Sequence, residues 1–340
     1  MTTSNPRKLP RKWINKRLAE LDAEKDYEEI VRLTALYRSN NFELALMFSA
    51  GTPGAGIASH VMDAVWRNGK SESNHSPEHR RDTSNDHLMT WFEHGPEHAA
   101  TKISVDMVNQ YHQKFAKKYF ESFNHAEDYI YILCMNATLP HVMMTSIGLE
   151  GFTQKQRIAT WIFWSKISEQ FTLGTSGENV TTITEFPTSF EGMVETVKRY
   201  QARPREPHQV GHDFTSATIE FFARSWFPRP LHFFGRALVK SFIPEVVLQT
   251  HSIALPSAPL RAAARLFMKT AMFMSNHIIA DPAETLPERR RISAAQANES
   301  VGGVDAAIHR QLAQKLQDNT GISSLCPHMH FSQKNKSSAD

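Results

Sequence analysis

The sequence predicts an all-α protein, a single large helical domain followed by a C-terminal helical arm. Three observations carry that expectation. Apolar residues recur at helical spacing along nearly the whole chain. Start and stop signals punctuate the pattern, the clearest being the capping box Thr153-x-x-Gln156. The weakly β-like stretch, Val180 to Phe186, is too short and isolated to imply a sheet. The 340 residues allow about two domains, or one large one. With 41% hydrophobic residues, among them 21 Phe, 6 Trp and 13 Met, a sizeable core can be buried.

In chain order, residues 1–25 read as a basic, partly disordered leader, with Arg7, Lys8, Arg11, Lys12, Lys16 and Arg17 as its charged run. The main domain is expected over 26–280. Leu33, Leu36 and Tyr37 give its first helix, and Ile57, Val61, Met62 and Val65 a second after a glycine-rich turn at Gly51-Thr52-Pro53-Gly54. The polar stretch from Asn68 to His79 reads as a loop. Thr83 can cap a short helix carrying Leu88, Trp91 and Phe92, which Gly95 ends. Pro96 then suits the first position of a long helix reaching about Phe120. The capping box opens the Trp161, Ile162, Trp164, Ile167 helix. Pro207 and Pro230 open two more, and Arg261 to Ile279 is a further helix rich in Ala, Met and Phe. Residues 281–340 read as a linker with Arg289-Arg290-Arg291, a helical arm and a polar tail.

Composition excludes several functions. A net charge of +3 argues against a dedicated nucleic-acid binder. Cys134 and Cys326 can build neither a disulfide framework nor a four-thiolate zinc site. No apolar h-region marks a signal peptide, and no stretch approaches the roughly 20 apolar residues of a membrane span, so a cytoplasmic protein without a span is expected. Walker A, dinucleotide-type glycine, G-x-S-x-G and C-x-x-C motifs are absent.

If a metal or metallo-cofactor binds, histidine is the expected ligand, and there are 17 to choose from. His112 shares a helical face with Val105, Val108 and Ala116, because residues three, four and seven apart stack on one side. That places one imidazole among aliphatic side chains, either as a satisfied core histidine or as a haem-ligand arrangement. Arg80 and Arg81, beside Asp82 and Thr83, form either an oxygen- or propionate-binding cluster or a plain charged helix start. His208 and His212, four apart with Asp213 alongside, are a weaker candidate for a divalent metal, since the Glu of H-E-x-x-H is missing.

The order of these segments resembles the central signature of the MpaB family of oxygenases, related to the rubber oxygenase (latex clearing protein) catalytic domain. The resemblance rests on Arg80-Arg81-Asp82-Thr83, then Trp91-Phe92-Glu93-His94-Gly95, then Val108-Asn109-Gln110-Tyr111-His112, and extends over roughly residues 40–280. Asp82 stands where the rubber oxygenases carry a lysine.

This resemblance implies a helical fold enclosing a haem pocket. Its cofactor would be haem b, with iron held by His112 on the proximal side. Arg80 or Arg81, and Thr83, would match the family's arginine and threonine on the opposite side, as catalytic or cofactor-binding residues. The expected partners are dioxygen and a hydrophobic small molecule, isoprenoid or prenylated, which would be oxygenated or oxidatively cleaved. The alternative expectation is a non-enzymatic helical carrier of haem or lipid on the same scaffold.

Overall fold

A computed structural model describes residues 9–67, 70–71, 77–296, 307–308 and 311. The leader is not loose where it is described. Helix α1 (Trp13–Glu20) buries Ile14, and three contacts tie its start to the far end of the domain. The Lys12 ammonium lies 3.1 Å from the Asp281 carboxylate, Trp13 Nε1 donates to the Pro282 carbonyl, and the Ile14 amide donates to Asp281. Arg38 adds a second ion pair to the same carboxylate at 2.8 Å. Arg7 and Lys8 lie outside the described residues.

Helix α2 (Tyr27–Arg32) runs into a π-helical turn, Leu33–Tyr37, that buries Leu33 and Leu36 as expected. Helix α3 (Asn41–Ala55) corrects the glycine-rich turn: Gly51 to Gly54 are helical, with Pro53 inside the last turn. The glycines serve close packing instead. A Cβ on Gly54 would sit 2.8 Å from the Tyr131 hydroxyl, and one on Gly51 would sit 3.0 Å from Leu139. Helix α4 (Ser59–Val65) leads into a two-residue hairpin, Trp66–Arg67 with Lys70–Ser71. Most of the loop expected at 68–79 lies outside the described residues.

Helix α5 (Pro77–His94) begins six residues before the expected cap, so Thr83 is a mid-helix residue. It ends at Gly95, whose φ of +84° is the left-handed stop expected there. Pro96 does not start the next helix. His98 caps α6 (Ala99–Ala116) by accepting from the Ala100 amide.

Helix α7 (Ala126–Ser146) contains the longest apolar run of the sequence and is buried nearly all round, the mark of a core helix. One core cluster packs on its Tyr129, Ile130, Leu133 and Cys134 side, against Phe163, Trp164 and Ile167 of α8 (Gln154–Ser168). The capping box at Thr153 forms as read. The weakly β-like segment is corrected to a short helix, α9 (Val180–Ile183), whose Val180 completes this cluster. Helix α10 (Phe190–Gln201) packs along α7.

The second cluster takes Tyr131, Met135 and Met143 from the other side of α7. It is closed by α11 (Gln209–Trp226), α12 (His232–Lys240), α13 (Glu245–Thr250) and α14 (Ala258–Phe273), which passes into a π-helical turn, Met274–Ile278. Part of the expected linker is α15 (Leu286–Gln296), held by Arg289 on the Tyr37 and Ser39 carbonyls. Beyond it, Ile308 is buried beside Ala100 and Ile103, and apart from residues 307 and 311 the rest of the arm and tail lies outside the described residues. The described chain is therefore all-α apart from the hairpin. None of its helices is long and apolar enough to cross a membrane.

Candidate functional site

Between the two clusters lies a cavity of about 1170 Å³. That exceeds the roughly 300–1,000 Å³ of ordinary small-ligand pockets. Its wall is mainly apolar, and α3, α5, α6, α7 and α8 all contribute. It reaches the surface where lining residues are themselves exposed: Asn15 of α1, Glu150, Phe273 at the end of α14 and His277 just after it.

His112 lines this cavity, on the face the sequence assigned to it, with Val105 and Ala116 buried behind. Its imidazole lies flat on the Phe123 ring, centroids 4.4 Å apart and planes 12° apart, with Tyr129 edge-on at 5.4 Å. Phe123 adopts a φ of +63°, a strained backbone for a bulky residue. Two donors hold it there: the Gly174 amide at 2.8 Å and the Tyr129 hydroxyl at 3.1 Å, both to the Phe123 carbonyl. Gly174 must be glycine for this approach, since a Cβ would meet Ala116 Cβ at 2.5 Å, the Phe123 carbonyl at 3.0 Å and the His112 carbonyl at 3.2 Å.

A second histidine reaches the same cavity. His87 of α5 places Nδ1 2.7 Å from the Ser104 hydroxyl, which also accepts from Trp91 Nε1 at 2.8 Å. Burial pushes this imidazole down to about 4, so it is neutral at pH 7. Hydrogen-bond accounting then assigns its tautomer. Trp91 only donates, and among the described residues the fully buried Ser104 hydroxyl has His87 Nδ1 as its acceptor. The proton is left on Nε2. His87 thus offers the cavity an N–H donor rather than a charge.

Asp128 and Glu43 add to a polar lining that also includes Arg38, Glu150 and Lys155. Asp128 accepts from the Tyr200 hydroxyl and lies 2.6 Å from His60 Nε2, and this hydrogen bond raises the His60 pKa. Tyr200 stacks on Tyr131 at 4.0 Å, and the Arg205 guanidinium lies 4.6 Å from the Tyr200 ring centroid. On α3, burial pushes the Glu43 carboxyl up to about 7 against the hydrogen bonds of Asn40, so it exchanges its proton near neutrality. Pro140 of α7 cannot donate to the Asn136 carbonyl, and both residues line the cavity.

The remaining expected site residues fall elsewhere. The Arg81 guanidinium bonds Asp82 at 2.8 Å and lies 5.2 Å from the Phe221 ring centroid, and neither Arg81 nor Thr83 lines the cavity. The Arg80 side chain lies outside the described residues. From the same helix, Ser84, Asn85, His87 and Leu88 reach the wall instead. His208 caps α11 through the Gly211 amide, His212 Nδ1 bonds the His251 carbonyl, and Asp213 accepts from Gln209. No group of three or more His, Cys, Asp or Glu among the described residues is arranged to hold a metal ion. Cys134 is fully buried, its thiol pushed up to about 12 and therefore inert.

Sequence reading passed over His87, Glu43 and the Asp128–His60 pair. The spacing of His87 and Trp91, one helical turn apart, was a usable signal for the first. Their common partner Ser104 comes from another helix, which no local pattern reveals.

No family model and no curated protein matches this chain.

Proposed function

We propose that this protein is a haem-b-dependent oxygenase acting on a hydrophobic small molecule, with isoprenoid or prenylated compounds as the class to test first. The observation that carries the reading is His112 in the wall of a large apolar cavity, its ring fixed between the strained Phe123 and Tyr129. The residues present fit the cofactor. A porphyrin supplies four nitrogens itself, so one imidazole in an apolar slot suffices as the protein ligand, and the volume leaves room for a substrate alongside. When bound, haem b would supply dioxygen binding at iron.

The chain's own residues would do the rest. His112 would hold the iron. His87 would donate its Nε2 proton in a hydrogen bond to an oxygen acceptor inside the cavity, without bringing a charge into it. Glu43, half-protonated near neutrality, is suited to giving up or taking a proton at its carboxylate. The aromatic and aliphatic lining would exclude water and orient an apolar chain. Cleavage of a carbon–carbon double bond by dioxygen gives two carbonyl groups and needs no further oxidant. The arginine and threonine roles implied by the family resemblance are not part of this reading for Arg81 and Thr83, which stand away from the wall.

The carrier alternative shares the apolar cavity, and turnover separates the two. Absorption spectra of protein expressed with a haem precursor test the cofactor: wild type is expected to show a Soret band, and His112→Ala a shifted or lost one. A band unchanged in the variant removes His112 as the ligand, and no haem in the wild type removes the proposal. Haem binding without oxygen consumption on any prenylated compound would leave the carrier.

A further inference from the structure

We infer that the mouth of the cavity docks on an anionic lipid surface. Of the sixteen large apolar side chains exposed among the described residues, ten fall between Trp226 and Ile279. The densest part is the outer face of α14 and the π-helical turn after it. Leu266 is 65% exposed, Phe273 47% and Ile278 45%, and Phe267 and Met274 lie beside them at helical spacing. Buried Ala264 and Met268 already face the core, so this helix is apolar on both sides. A helix facing only water would place polar residues there.

The face is continuous with the cavity. Phe273 and His277 line the cavity and are exposed, and the Lys269 ammonium stands 3.3 Å from where a Cβ of Gly148 would be, on the opposite rim. It is also continuous with α11 and α12, because Phe267 packs on Phe42 and Phe234, and Phe42 packs on Trp226.

Charge selects the occupant. Between Ala223 and Ala280 there are seven Lys and Arg residues against one acidic residue, Glu245, while the whole chain nets only +3. Arg224 and Arg236 are spoken for by Glu220. Arg229, Lys240, Arg261, Arg265 and Lys269 make no ion pair among the described residues. An apolar band flanked by cations is the composition of an interfacial helix on anionic lipid. The inference rests on the proposed function only in that an apolar substrate would enter from the bilayer rather than from water. Docking itself needs no haem.

The test is co-sedimentation of the full chain with phosphatidylcholine vesicles, with and without phosphatidylserine, alongside gel filtration. Binding to the phosphatidylserine vesicles is expected, weaker at high salt. Leu266→Ser with Phe273→Ser should lower it about tenfold per side chain, from lost apolar burial. Arg261→Gln with Lys269→Gln should lower it about fivefold per cation on the anionic vesicles. All four sites are on the surface helix, and an unchanged helical circular dichroism spectrum and melting temperature confirm folding. Failure of the wild type to bind either vesicle overturns the inference, as does equal binding by the Leu266/Phe273 variant. A dimer that the same variant dissociates also overturns it, by assigning the face to a second copy. None of these outcomes bears on the Soret band, so the two proposals stand or fall separately.

Discussion

His87 gives this protein a measurable dependence of stability on acid. Its imidazole is neutral in the fold because burial lowers its pKa to about 4, whereas an unfolded chain returns it to its ordinary value near 6.5. Below pH 6.5 the unfolded state therefore binds a proton that the folded state does not. Stability from this group is complete above the unfolded value and falls as the pH drops through the window from 6.5 to 4. Below the folded value the loss levels off. A difference of about 2.5 units corresponds to roughly 3 kcal/mol over the whole window. Other groups titrate there too, so the comparison is with His87→Gln, which keeps a polar side chain and cannot titrate. Urea unfolding followed by circular dichroism, at half-unit pH steps, should show the wild type losing roughly 3 kcal/mol more than the variant across the window. Parallel curves would refute both the buried neutral imidazole and the tautomer argument built on it.

Four further outcomes follow from the same geometry. Ser104→Ala strands the Trp91 indole N–H and His87 Nδ1 in a buried site, and should cost about 2–4 kcal/mol in urea unfolding, whereas a loss below about 0.5 kcal/mol would show the hydroxyl is not their common partner. Gly174→Ala drives a methyl against the Phe123 and His112 carbonyls, so the expected result is a loss of about 1–3 kcal/mol together with a disturbed His112 spectrum, and a neutral substitution would count against the tight approach. Asp281→Ala removes the fully buried carboxylate shared by Lys12, Arg38 and the Ile14 amide. Proteolysis should then cut first near α1, with about 3 kcal/mol lost overall, and an unchanged digestion pattern would remove Asp281 as the anchor. The Asp128 partner of His60 can be read by NMR: Asp128→Asn should lower the His60 pKa, while an unchanged titration would break the pair.

What the sequence made legible followed local physics. The all-α class, the Thr153 capping box, the stop at Gly95 and the inward face of His112 each depend on residues within two helical turns of one another. The misreadings arose where distant chain overrides a local signal. Gly51-Thr52-Pro53-Gly54 has turn composition, yet Tyr131, Met135 and Leu139 of α7 demand small residues on α3, and the helix continues through them. Thr83 has cap chemistry, but α5 already has a start at Pro77. The basic leader reads as solvated until Asp281, more than 260 residues away, supplies its counter-charge. The cavity's polar groups were hidden for the same reason. Two of them are held by side chains from other helices, Ser104 for His87, and His60 with Tyr200 for Asp128.

These polar groups also weigh between the two readings of the cavity. A container for lipid gains by an entirely apolar wall, since every buried polar group costs free energy unless it is fully satisfied. This wall instead keeps a neutral histidine oriented by a buried serine, a carboxyl poised near neutrality and a carboxylate bonded to tyrosine and histidine. It also holds Phe123 in a left-handed backbone conformation that stacks its ring on His112. The strain and the burial are offset by contacts whose common effect is to fix directions inside the cavity: one N–H donor, one proton-exchanging acid and one imidazole with its plane set. Fixed directions do nothing for retention of a flexible apolar ligand, and they are what chemistry on a bound oxygen-containing group requires. The oxygenase reading gives His87, Glu43 and His112 each a task, a haem carrier would need His112 alone, and a lipid carrier needs none of the three.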